Sequence, residues 1–503
     1  MTSVTIIHYI NNHNLKVIQP VQSDNIEFQP FGLSHDSHNT VDPMLNLENQ
    51  TLGQALNSII ASIKSDYILY IDNDMNEVSL KESSLDLFLL TSSRHANLGF
   101  VYADYVIESN DKTDEIHLLH HHVGRTRDNQ DYGRVFFINT KALLDIGGFD
   151  ENLKHNTMYD MKLKLSEKHE VVHISNRYSG SLYSVQASKT SANVFDYLLA
   201  SKDAQLEAEL VVTEHLKRMG AYLAPQQGYH ARPIEKTNTE LTASIIIPVN
   251  DRPEFIGTAI ESVQAQTIKD VEIIIAVNGG QNDTTIPIVK KYQVGGEHYD
   301  ANKPPVHLII LDINNIGMCL NMGALQAKGK YYVQLDSDDR LKPDAVEKIV
   351  AVYNSDETIG MVIGSYEVWE KKDNGNLFRM EEIPVVTHDE WTEDNGRNNL
   401  LRINGAGAPR SIPIQLIKEI GFFGMNDDPY ARNYGEDYDM VLHISEKYKI
   451  GRVWDPIYEV IRHSGGTDHA IDQHTVDRND NAKDHMRYHA IRRRQAQNGH
   501  NNG

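Results

Sequence analysis

A chain of 503 residues is too long for one ordinary hydrophobic core and should fold as two or three domains. Its 40% hydrophobic and 23% charged residues exclude a disordered protein, and its net charge of -22 disfavours nucleic acid as a partner. No apolar run reaches the roughly 18 residues that span a bilayer, and Cys319 alone cannot form an intramolecular disulfide. With no signal peptide recognisable, we expect a cytoplasmic location.

The elements predicted in the first part of the chain recur later in the same order. Four pairs of segments match: 52–57 with 316–321, 66–74 with 330–338, 144–149 with 418–423, and 159–163 with 438–442. The first two pairs share one spacing (321 − 57 = 338 − 74 = 264). Ordered matches of this kind indicate two copies of one domain, which we place at residues 1–190 and 242–475.

Two segments are predicted to lie outside the copies. Residues 191–241 should form a helix that ends near Gly220, followed by a polar linker. Residues 476–503 should be a polar, basic C-terminal tail with a disordered Asn- and Gly-rich end. We interpret Arg492-Arg493-Arg494 as a solvated helix end, with peripheral contact to an anionic membrane or a partner as the alternative.

The second copy alternates predicted strands and helices. Apolar runs rich in β-branched residues predict buried strands at 243–249, 271–277, 307–311 and 331–335. Intervening helices imply a mostly parallel sheet with right-handed crossovers. In such sheets ligands bind at the carboxyl ends of the strands, where Asn250, Asn278 and Asp336 are placed.

Residues 242–465 resemble the family-2 glycosyltransferases with the GT-A fold. The resemblance rests on seven segments: 244–248, 251–255, 259–263, 315–317, 321–324, 335–339 and 435–439. It implies an α/β chain of two tandem GT-A-like domains, Rossmann-like with mostly parallel sheets, joined by a helical linker. The linker itself resembles that of bacterial two-domain members that build surface polysaccharides.

Asp336-Ser337-Asp338 places two carboxylates where the fourth of these strands ends. A hard cation that bridges a nucleotide diphosphate to a protein needs oxygen ligands there. The resemblance implies that Asp336 meets the ribose and the metal, that Asp338 binds the metal, Mn²⁺ or Mg²⁺, and that Ser337 adjoins the donor. The alternative is an acidic turn, since Asp-x-Asp alone is weak evidence. Asp339 is predicted to cap a helix from Lys342.

Glu436-Asp437 opens another predicted helix. An acceptor hydroxyl is a poor nucleophile until a base removes its proton. The resemblance implies that Asp437 is this base in a single inverting displacement, while Glu436 contacts acceptor hydroxyls or orients Asp437. The alternative is a pair of acids that favour a helix N-terminus through its dipole. His463 is implied as a further metal ligand, with an exposed histidine of no special role as the alternative.

The resemblance also implies a set of donor-binding residues: Pro248, Asn250, Asp251, Arg252, Asn278, Asn315, Gly317 and Asn321. Trp391 and Arg410 are placed in the acceptor or diphosphate pocket, although an aromatic residue is more often part of a core. Family members commonly have Asp at the position of Asn278, where it accepts a hydrogen bond from uracil. An amide oxygen also accepts, but its NH₂ adds donors. The predicted donor is therefore a UDP-sugar, with guanosine and thymidine nucleotides left open.

The first copy is predicted to be non-catalytic. A spacing of 279 places Thr157, Met158 and Ser184 at the positions of Glu436, Asp437 and His463 (438 − 159 = 279). The first copy is also 25 residues shorter at its front (264 − 239), where the second copy has a helix and the base-binding strand. Asp72-Asn73-Asp74 survives, so a second, divergent active site is the alternative.

These patterns predict a metal-dependent, inverting glycosyltransferase. Its partners would be a nucleotide-sugar and a glycan, lipid-linked glycan or glycoprotein acceptor, in bacterial cell-surface polysaccharide or glycoprotein synthesis. A non-catalytic carbohydrate-binding or scaffold protein and a nucleotidyltransferase are the alternatives. Fold alone does not specify the sugar, the acceptor or the linkage, and homo-oligomerisation stays open.

Overall fold

The computed structural model describes residues 2–10, 26–34, 44–73, 76–109, 112–176, 178–186, 201–225, 228–233, 241–372, 375–387, 395–405, 407–425, 434–463 and 472–499. The chain divides into two compact units, Met1–Gly220 and Ala221–Gly503. In the described part of the chain, no helix is both long enough and apolar enough to cross a membrane.

The first unit is an α/β domain with two sheets. Its elements are β1 Thr2–Ile10, β2 Ile26–Ser34, β3 Met44–Asn46, α1 Leu52–Ser62, β4 Tyr67–Asn73, β5 Val78–Leu80, α2 Ser84–Ser93, β6 Leu98–Ala103, β7 Tyr105–Ser109, β8 Lys112–Ile116, β9 Val135–Asn139, α3 Thr140–Asp145, α4 Thr157–Lys168, β10 Glu170–Ile174, β11 Tyr183–Gln186 and α5 Lys202–Arg218. The larger sheet has the order β10-β6-β9-β4-β1-β2-β3, and the smaller one has the order β5-β11-β7-β8.

The second unit is an α/β domain built on one sheet. Its elements are β12 Leu241–Val249, α6 Ile256–Gln264, β13 Val271–Val277, α7 Thr285–Lys290, β14 Val306–Ile310, α8 Ile316–Gln326, β15 Gly329–Gln334, β16 Arg340–Leu341, α9 Ala345–Ser355, β17 Ile359–Lys371, β18 Leu377–Arg379, α10 Gly396–Asn399, β19 Arg410–Pro413, α11 Ile414–Ile420, α12 Glu436–Ser445, β20 Lys449–Arg462 and α13 Gln473–Gln497. The sheet order is β14-β13-β12-β15-β19-β17-β20-β16, and β18 pairs with β17.

The central strands of the second unit are apolar because both of their faces are buried. Every residue of β13 is buried, and Ile245, Ile246 and Ile247 of β12 have no exposed surface. β12 pairs in parallel with β13 and β15, while β19 runs antiparallel to β15. A strand covered on both faces reads as a continuous hydrophobic run, so the sequence pattern predicted these strands correctly.

The two units share one strand order. Read from the other edge, β3-β2-β1-β4-β9-β6-β10 matches β14-β13-β12-β15-β19-β17-β20 strand for strand. The smaller sheet β5-β11-β7-β8 likewise matches the pairing of β16, β20, β17 and β18. The prediction of two tandem, mostly parallel α/β domains is therefore confirmed.

One prediction for the first copy is wrong. β2 lies parallel to β1, just as β13 lies parallel to β12, so the strand that we expected to be missing is present. The shorter front instead falls mostly between β2 and β3, where the paired residues Gly32 and Met44 are 12 positions apart (44 − 32 = 12), against 33 for Ile273 and Val306 of β13 and β14 (306 − 273 = 33). The residues between β2 and β3, 35–43, lie outside the described residues. Pro30 and Gly32 interrupt the β2 sequence and hid the strand.

The last helices of the two units are counterparts. Tyr183 pairs with Leu80 and Tyr458 with Leu341, a spacing of 458 − 183 = 275. The same spacing relates Arg218 to Arg493 (493 − 218 = 275), and both arginines bind a glutamate at the C-terminal end of the preceding helix. The predicted linker helix is therefore α5, the last helix of the first unit. It corresponds to α13, which the sequence predicted as a tail.

This register corrects the alignment of two predicted residues. Ser184 corresponds to Glu459 (459 − 275 = 184) and not to His463, whose counterpart would be residue 188. That residue lies outside the described part of the chain.

The arginine run of the predicted tail is mostly enclosed. Arg494 is buried and donates a hydrogen bond of 2.7 Å to the Arg397 carbonyl oxygen, Arg493 pairs with Glu446, and Arg492 is exposed. The solvated-end interpretation thus applies to Arg492 alone, because α13 packs against α12. The last residues of the chain, 500–503, lie outside the described residues.

Asn321 stabilises a turn at the start of the loop after α11. Its Nδ2 donates to the Phe423 carbonyl oxygen (2.9 Å), and its Oδ1 accepts from the Phe423 N–H (2.8 Å). Asn57 makes the same two bonds to Phe149, at 2.9 and 3.0 Å. A Cβ on Gly317 would collide with the Gly424 carbonyl oxygen, and one on Gly53 with that of Asp150. The matching segments 52–57 and 316–321 thus hold this turn in the same way in both units. We call the two amide hydrogen bonds and the close glycine contact the lock.

We expect Asn321→Ala to lower the free energy of unfolding of the second unit by about 1–3 kcal/mol, because it leaves the Phe423 backbone groups without these partners. Donor affinity, measured well below the melting temperature, should stay at the wild-type value. Urea denaturation followed by circular dichroism measures the first quantity, and Asn57→Ala is the matched control for the first unit. A large loss of donor affinity at unchanged stability would instead return Asn321 to the donor site.

Candidate functional site

Asp336 lies two residues after the end of β15, at the carboxyl end of this strand. Its N–H donates to the Tyr458 hydroxyl (3.1 Å), and its Oδ1 accepts from Gln334 Nε2 (3.2 Å). Burial raises the pKa of Asp336 and the negative charge of Asp338 adds to this rise, while Arg410 opposes it. This carboxylate therefore faces a second acid and a cation at the point where the sheet ends.

Asp338 and His463 meet although they are 125 positions apart. His463 Nε2 lies 3.0 Å from Asp338 Oδ2, and their side chains are 9% and 26% exposed. The His463 ring packs against the Phe255 ring, with ring centroids 4.3 Å apart. Lys371 Nζ lies 3.9 Å from the centre of the Phe255 ring. The structure thus brings together Asp338 and His463, two of the three predicted metal ligands. It adds Phe255 and Lys371 as neighbours that sequence reasoning missed.

Asp339 has a different role from the one predicted. Its Oδ1 accepts a hydrogen bond of 2.8 Å from the Ile461 N–H, and it is 6% exposed. Burial, with the nearby charges of Asp336 and Asp338, raises its pKa well above the usual range. The helix that it was predicted to cap begins later, at Ala345 after Asp344. Asp339 instead ties the acidic turn to the end of β20.

Glu436 and Asp437 form the first turn of α12, after Gly435 at a φ of +85°. Asp437 Oδ2 lies 3.1 Å from Arg410 Nη1, and Asp437 Oδ1 accepts from the Tyr438 N–H at 2.7 Å. Arg410 begins β19, so its side chain joins the strand layer to this turn. The predicted acids and Arg410 therefore lie together.

The two acids of this turn differ in proton affinity. Burial, followed by the charge of Asp437, raises the pKa of Glu436 to about 7. Burial also acts on Asp437, but the positive charges of Arg410 and Lys483 outweigh it and lower the pKa of that carboxyl. At neutral pH Asp437 is thus an ionised carboxylate, whereas Glu436 is protonated in part of the molecules. Such a pair can hold one acceptor of protons beside one hydrogen-bond donor.

The loops after β12 and β13 are joined by Asp283. Its Oδ2 accepts from the Asp251 N–H (2.9 Å) and its Oδ1 from the Thr285 N–H (2.8 Å), while Thr285 Oγ1 accepts from the Arg252 N–H (2.9 Å). Asp251 has a φ of +51°, which is uncommon for a residue other than glycine. Asn250 follows directly after β12 and is half-buried, while Pro248 is buried within the strand. Sequence reasoning missed Asp283 and Thr285.

Asn278 follows β13 and is 7% exposed. Its Nδ2 donates to Asn314 Oδ1 at 3.2 Å, whereas its own Oδ1 is buried and has no hydrogen-bond partner among the residues that the structure describes. A buried amide oxygen without a partner is costly, so it is suited to accept a hydrogen bond from a ligand. The amide therefore presents an acceptor and already uses one of its donors.

Three residues predicted to bind the donor have structural contacts. Asn315 caps α8, where its Oδ1 accepts from the Met318 N–H at 2.8 Å. Gly317 and Asn321 form the lock described above. Ser337 is 9% exposed within the acidic turn. Trp391 lies outside the described residues.

The second unit is thus an α/β domain that combines carboxyl-end acids on a mainly parallel sheet, an Asp–His pair and a second acidic pair at a helix start. Residues 244–406 match the family model described as "Glycosyl transferase family 2". The second unit therefore contains a glycosyl transferase family 2 domain. The match includes Asp336 and Asp338 and ends before Glu436.

Named relatives cover parts of the chain. An uncharacterized glycosyltransferase of Rickettsia typhi is 30% identical over 209 residues, which are 41% of this chain and 60% of that protein. Hyaluronan synthase of Pasteurella multocida is 33% identical over 132 residues, 26% of this chain and 13% of the synthase. The chain thus spans less than two thirds of either relative. The structure of residues 1–349 of Staphylococcus aureus TarS with UDP-GlcNAc aligns with 16% identity and a TM-score of 0.35, over 51% of this chain and 73% of that segment.

Proposed function

We propose that the second unit is a glycosyltransferase that moves a sugar from a nucleotide-sugar to an acceptor hydroxyl, with inversion at the anomeric carbon. One observation carries the proposal. Arg410 Nη1 lies 3.1 Å from Asp437 Oδ2, and the positive charge of Arg410 also opposes the rise in the pKa of Asp336. A proton acceptor and the acids after β15 thereby share one cation. A transfer site needs this proximity, because base and leaving group must flank the same sugar carbon.

The residues present fit a divalent cation. Asp338 and His463 offer one carboxylate and one imidazole 3.0 Å apart, with Asp336 nearby. Within the described residues, no group of three or more His, Cys, Asp or Glu side chains is arranged to hold a metal ion. A metal that keeps few protein ligands and completes its shell with water and substrate phosphates suits such a pair. Bound there, Mn²⁺ or Mg²⁺ would neutralise charge on the diphosphate that leaves.

Asp437 is proposed as the base. Its lowered pKa keeps it ionised, so it can accept the proton of an acceptor hydroxyl while the oxygen attacks the sugar. Glu436, with a pKa of about 7, would hold acceptor hydroxyls or orient Asp437. A single displacement with one base gives a product of inverted configuration, since no side chain is proposed to bond the sugar.

For the donor, the unpartnered Asn278 Oδ1 supports a base that presents an N–H. Uracil, thymine and guanine all do so, and we propose a UDP-sugar. A glycan, lipid-linked glycan or glycoprotein is the proposed acceptor, in bacterial cell-surface synthesis. The relative named hyaluronan synthase supports a glycan acceptor. With one of three tail arginines exposed, membrane contact through the tail has weak support, and we propose a cytoplasmic location.

The first unit is proposed to be non-catalytic. Thr157 and Met158 begin α4 where Glu436 and Asp437 begin α12, so neither of these two positions carries a carboxylate that can accept a proton. Asp72 remains in β4, with its Oδ2 3.9 Å from Arg134 Nη1, and Asp74 lies outside the described residues. Scaffolding, acceptor binding or dimerisation are the roles that we propose.

A donor screen tests the proposed function. In the presence of Mn²⁺, one UDP-sugar should stabilise the protein by about 2.7 kcal/mol at a concentration 100 times its Kd, because it binds only the native state. Thermal shift identifies this donor, and a nucleotide assay with acceptor glycans should detect release of UDP. Pyrophosphate release would indicate a nucleotidyltransferase instead. Glycan binding without donor binding or hydrolysis would indicate a scaffold.

A further inference from the structure

Lys483 of α13 reaches the turn that carries the proposed base. Its Nζ donates to the Asn404 carbonyl oxygen at 2.6 Å and lies 4.9 Å from the centre of the Tyr434 ring and 5.7 Å from that of Tyr438. Tyr434 and Tyr438 flank Glu436 and Asp437 in the chain. The ammonium group is thus held over this turn by one backbone carbonyl and two aromatic faces.

Arg487 lies one helical turn further along α13 and is completely buried. Its guanidinium donates to Asp484 Oδ1 (2.7 Å), the Ile403 carbonyl oxygen (2.8 Å) and Asn404 Oδ1 (2.6 Å). It also lies 4.8 Å from the centre of the Tyr438 ring. Arg487 therefore joins α13, α12 and the chain after α10 at one point.

Between these two cations, Met486 closes the turn itself. A Cβ on Gly435 would come within 2.8 Å of Met486 Cε, and Gly435 has a φ of +85° that favours glycine. The backbone that presents Glu436 and Asp437 thus packs closely against the Met486 side chain of α13. A change on this face of α13 should be felt at the two acids.

The first unit provides an internal comparison. At the spacing of 275, Ala208 and Val212 of α5 stand where α13 has Lys483 and Arg487 (483 − 208 = 487 − 212 = 275). Both counterparts are buried apolar residues. The two cations thus occur in the copy that has the two acids and are absent at these positions from the copy that lacks them.

The start of α4 is stabilised in another way. Glu207 of α5 accepts from the N–H groups of Lys154, His155 and Asn156, at 2.7–2.8 Å. A carboxylate at a helix N-terminus is favourable because of the helix dipole. In the second unit Ala482 takes the place of Glu207 (482 − 207 = 275), and the acids lie on α12 itself. In the second unit, α13 therefore carries cations whereas α5 of the first unit carries an acid, and these cations compensate the negative charge of Glu436 and Asp437.

We propose that Lys483 and Arg487 are positioning residues that hold the Glu436-Asp437 turn in its productive geometry. The inference rests on the proposed function of that turn. The charged groups that face Asp437 are Arg410 from β19, Lys483 from α13, Glu436 from its own helix and Asp336 after β15. Only Lys483 among them belongs to the last helix.

The experiment converts the face of α13 to that of α5. Lys483→Ala should lower kcat about 10-fold or more, as expected when a hydrogen bond to a charged group is lost, with the donor KM unchanged. Lys483→Arg should restore most of the activity, and Arg492→Ala, at an exposed site of the same helix, is the control. Arg487→Val is the second matched change, and Arg487→Lys retains the charge should the valine variant fail to fold.

A measurement without substrate separates this inference from the proposed function. ¹³C NMR titration of the Asp437 carboxyl, assigned with Asp437→Asn, should give a higher pKa in Lys483→Ala than in the wild type, since a cation has been removed. Unchanged kcat and an unchanged Asp437 pKa in Lys483→Ala would overturn the inference. If the wild type transfers no sugar, the proposed function fails while the titration still decides the role of Lys483.

Discussion

Asp437→Asn should lower kcat by ~10²–10⁴-fold, the usual contribution of a general base, because an amide keeps the size of the side chain but cannot accept the proton. Donor and metal affinity should change little, since the base faces the acceptor. Steady-state kinetics with the donor found by thermal shift measures both quantities. NMR of the product should show inverted anomeric configuration.

The pH dependence distinguishes the two acids. Arg410 and Lys483 lower the pKa of Asp437, so a base at this position loses activity only when the pH falls below the ordinary carboxylate range, near ~4. Glu436 has a pKa of about 7, and a base there would lose activity as the pH falls through neutrality. A kcat profile that declines below pH ~7 in the wild type but not in Glu436→Gln would move the base to Glu436.

Met158→Ala is the matched control in the first unit, because Met158 occupies the second position of α4 as Asp437 does of α12. Its turnover should equal that of the wild type. Near-normal turnover in Asp437→Asn, or a product with the donor's configuration, would contradict the proposed mechanism.

Local pattern was enough to predict the strands that position the site. The apolar runs of β12, β13 and β15 are buried on both faces, so their sequences carry the signal without alternation. Side chains at the carboxyl ends of such strands share one edge of the sheet, which is why Asn278 and Asp336 could be placed in advance. β2 was missed because Pro30 and Gly32 remove the β signal from a strand that its neighbours nevertheless hold.

Contacts between distant segments could not be read from the sequence. Asp339 resembles a helix cap, yet its partner is the Ile461 N–H on a strand 122 positions away. Asn321 lies within a family motif, which suggested donor binding, whereas the same amide lock in the first unit shows a structural origin. The match of α5 with α13 rests on Arg218, Arg493 and the strand register. It became visible only when the pairing of β11 and β20 was known.

Asp338→Ala should reduce metal-dependent donor affinity by at least ~100-fold, because even partners of metal ligands cost ~10–100-fold when they are removed. Calorimetric titration of the donor with Mn²⁺, and again in excess chelator, measures the effect. Asp338 offers the carboxylate next to His463, so His463→Ala should weaken the same metal-dependent component.

The matched control for this variant is Asp74→Ala, whose position corresponds to Asp338 at the spacing of 264 and lies outside the described residues. It should bind donor as the wild type does, since the first unit has Thr157 and Met158 where the second has its acids. Equal losses from Asp74→Ala and Asp338→Ala would make the first unit a second donor site. Full turnover of the wild type in excess chelator would exclude a metal role for Asp338. In that case the contact between Asp338 and His463 would be a hydrogen bond that orders the end of β20, and Asp437 could still act as the base.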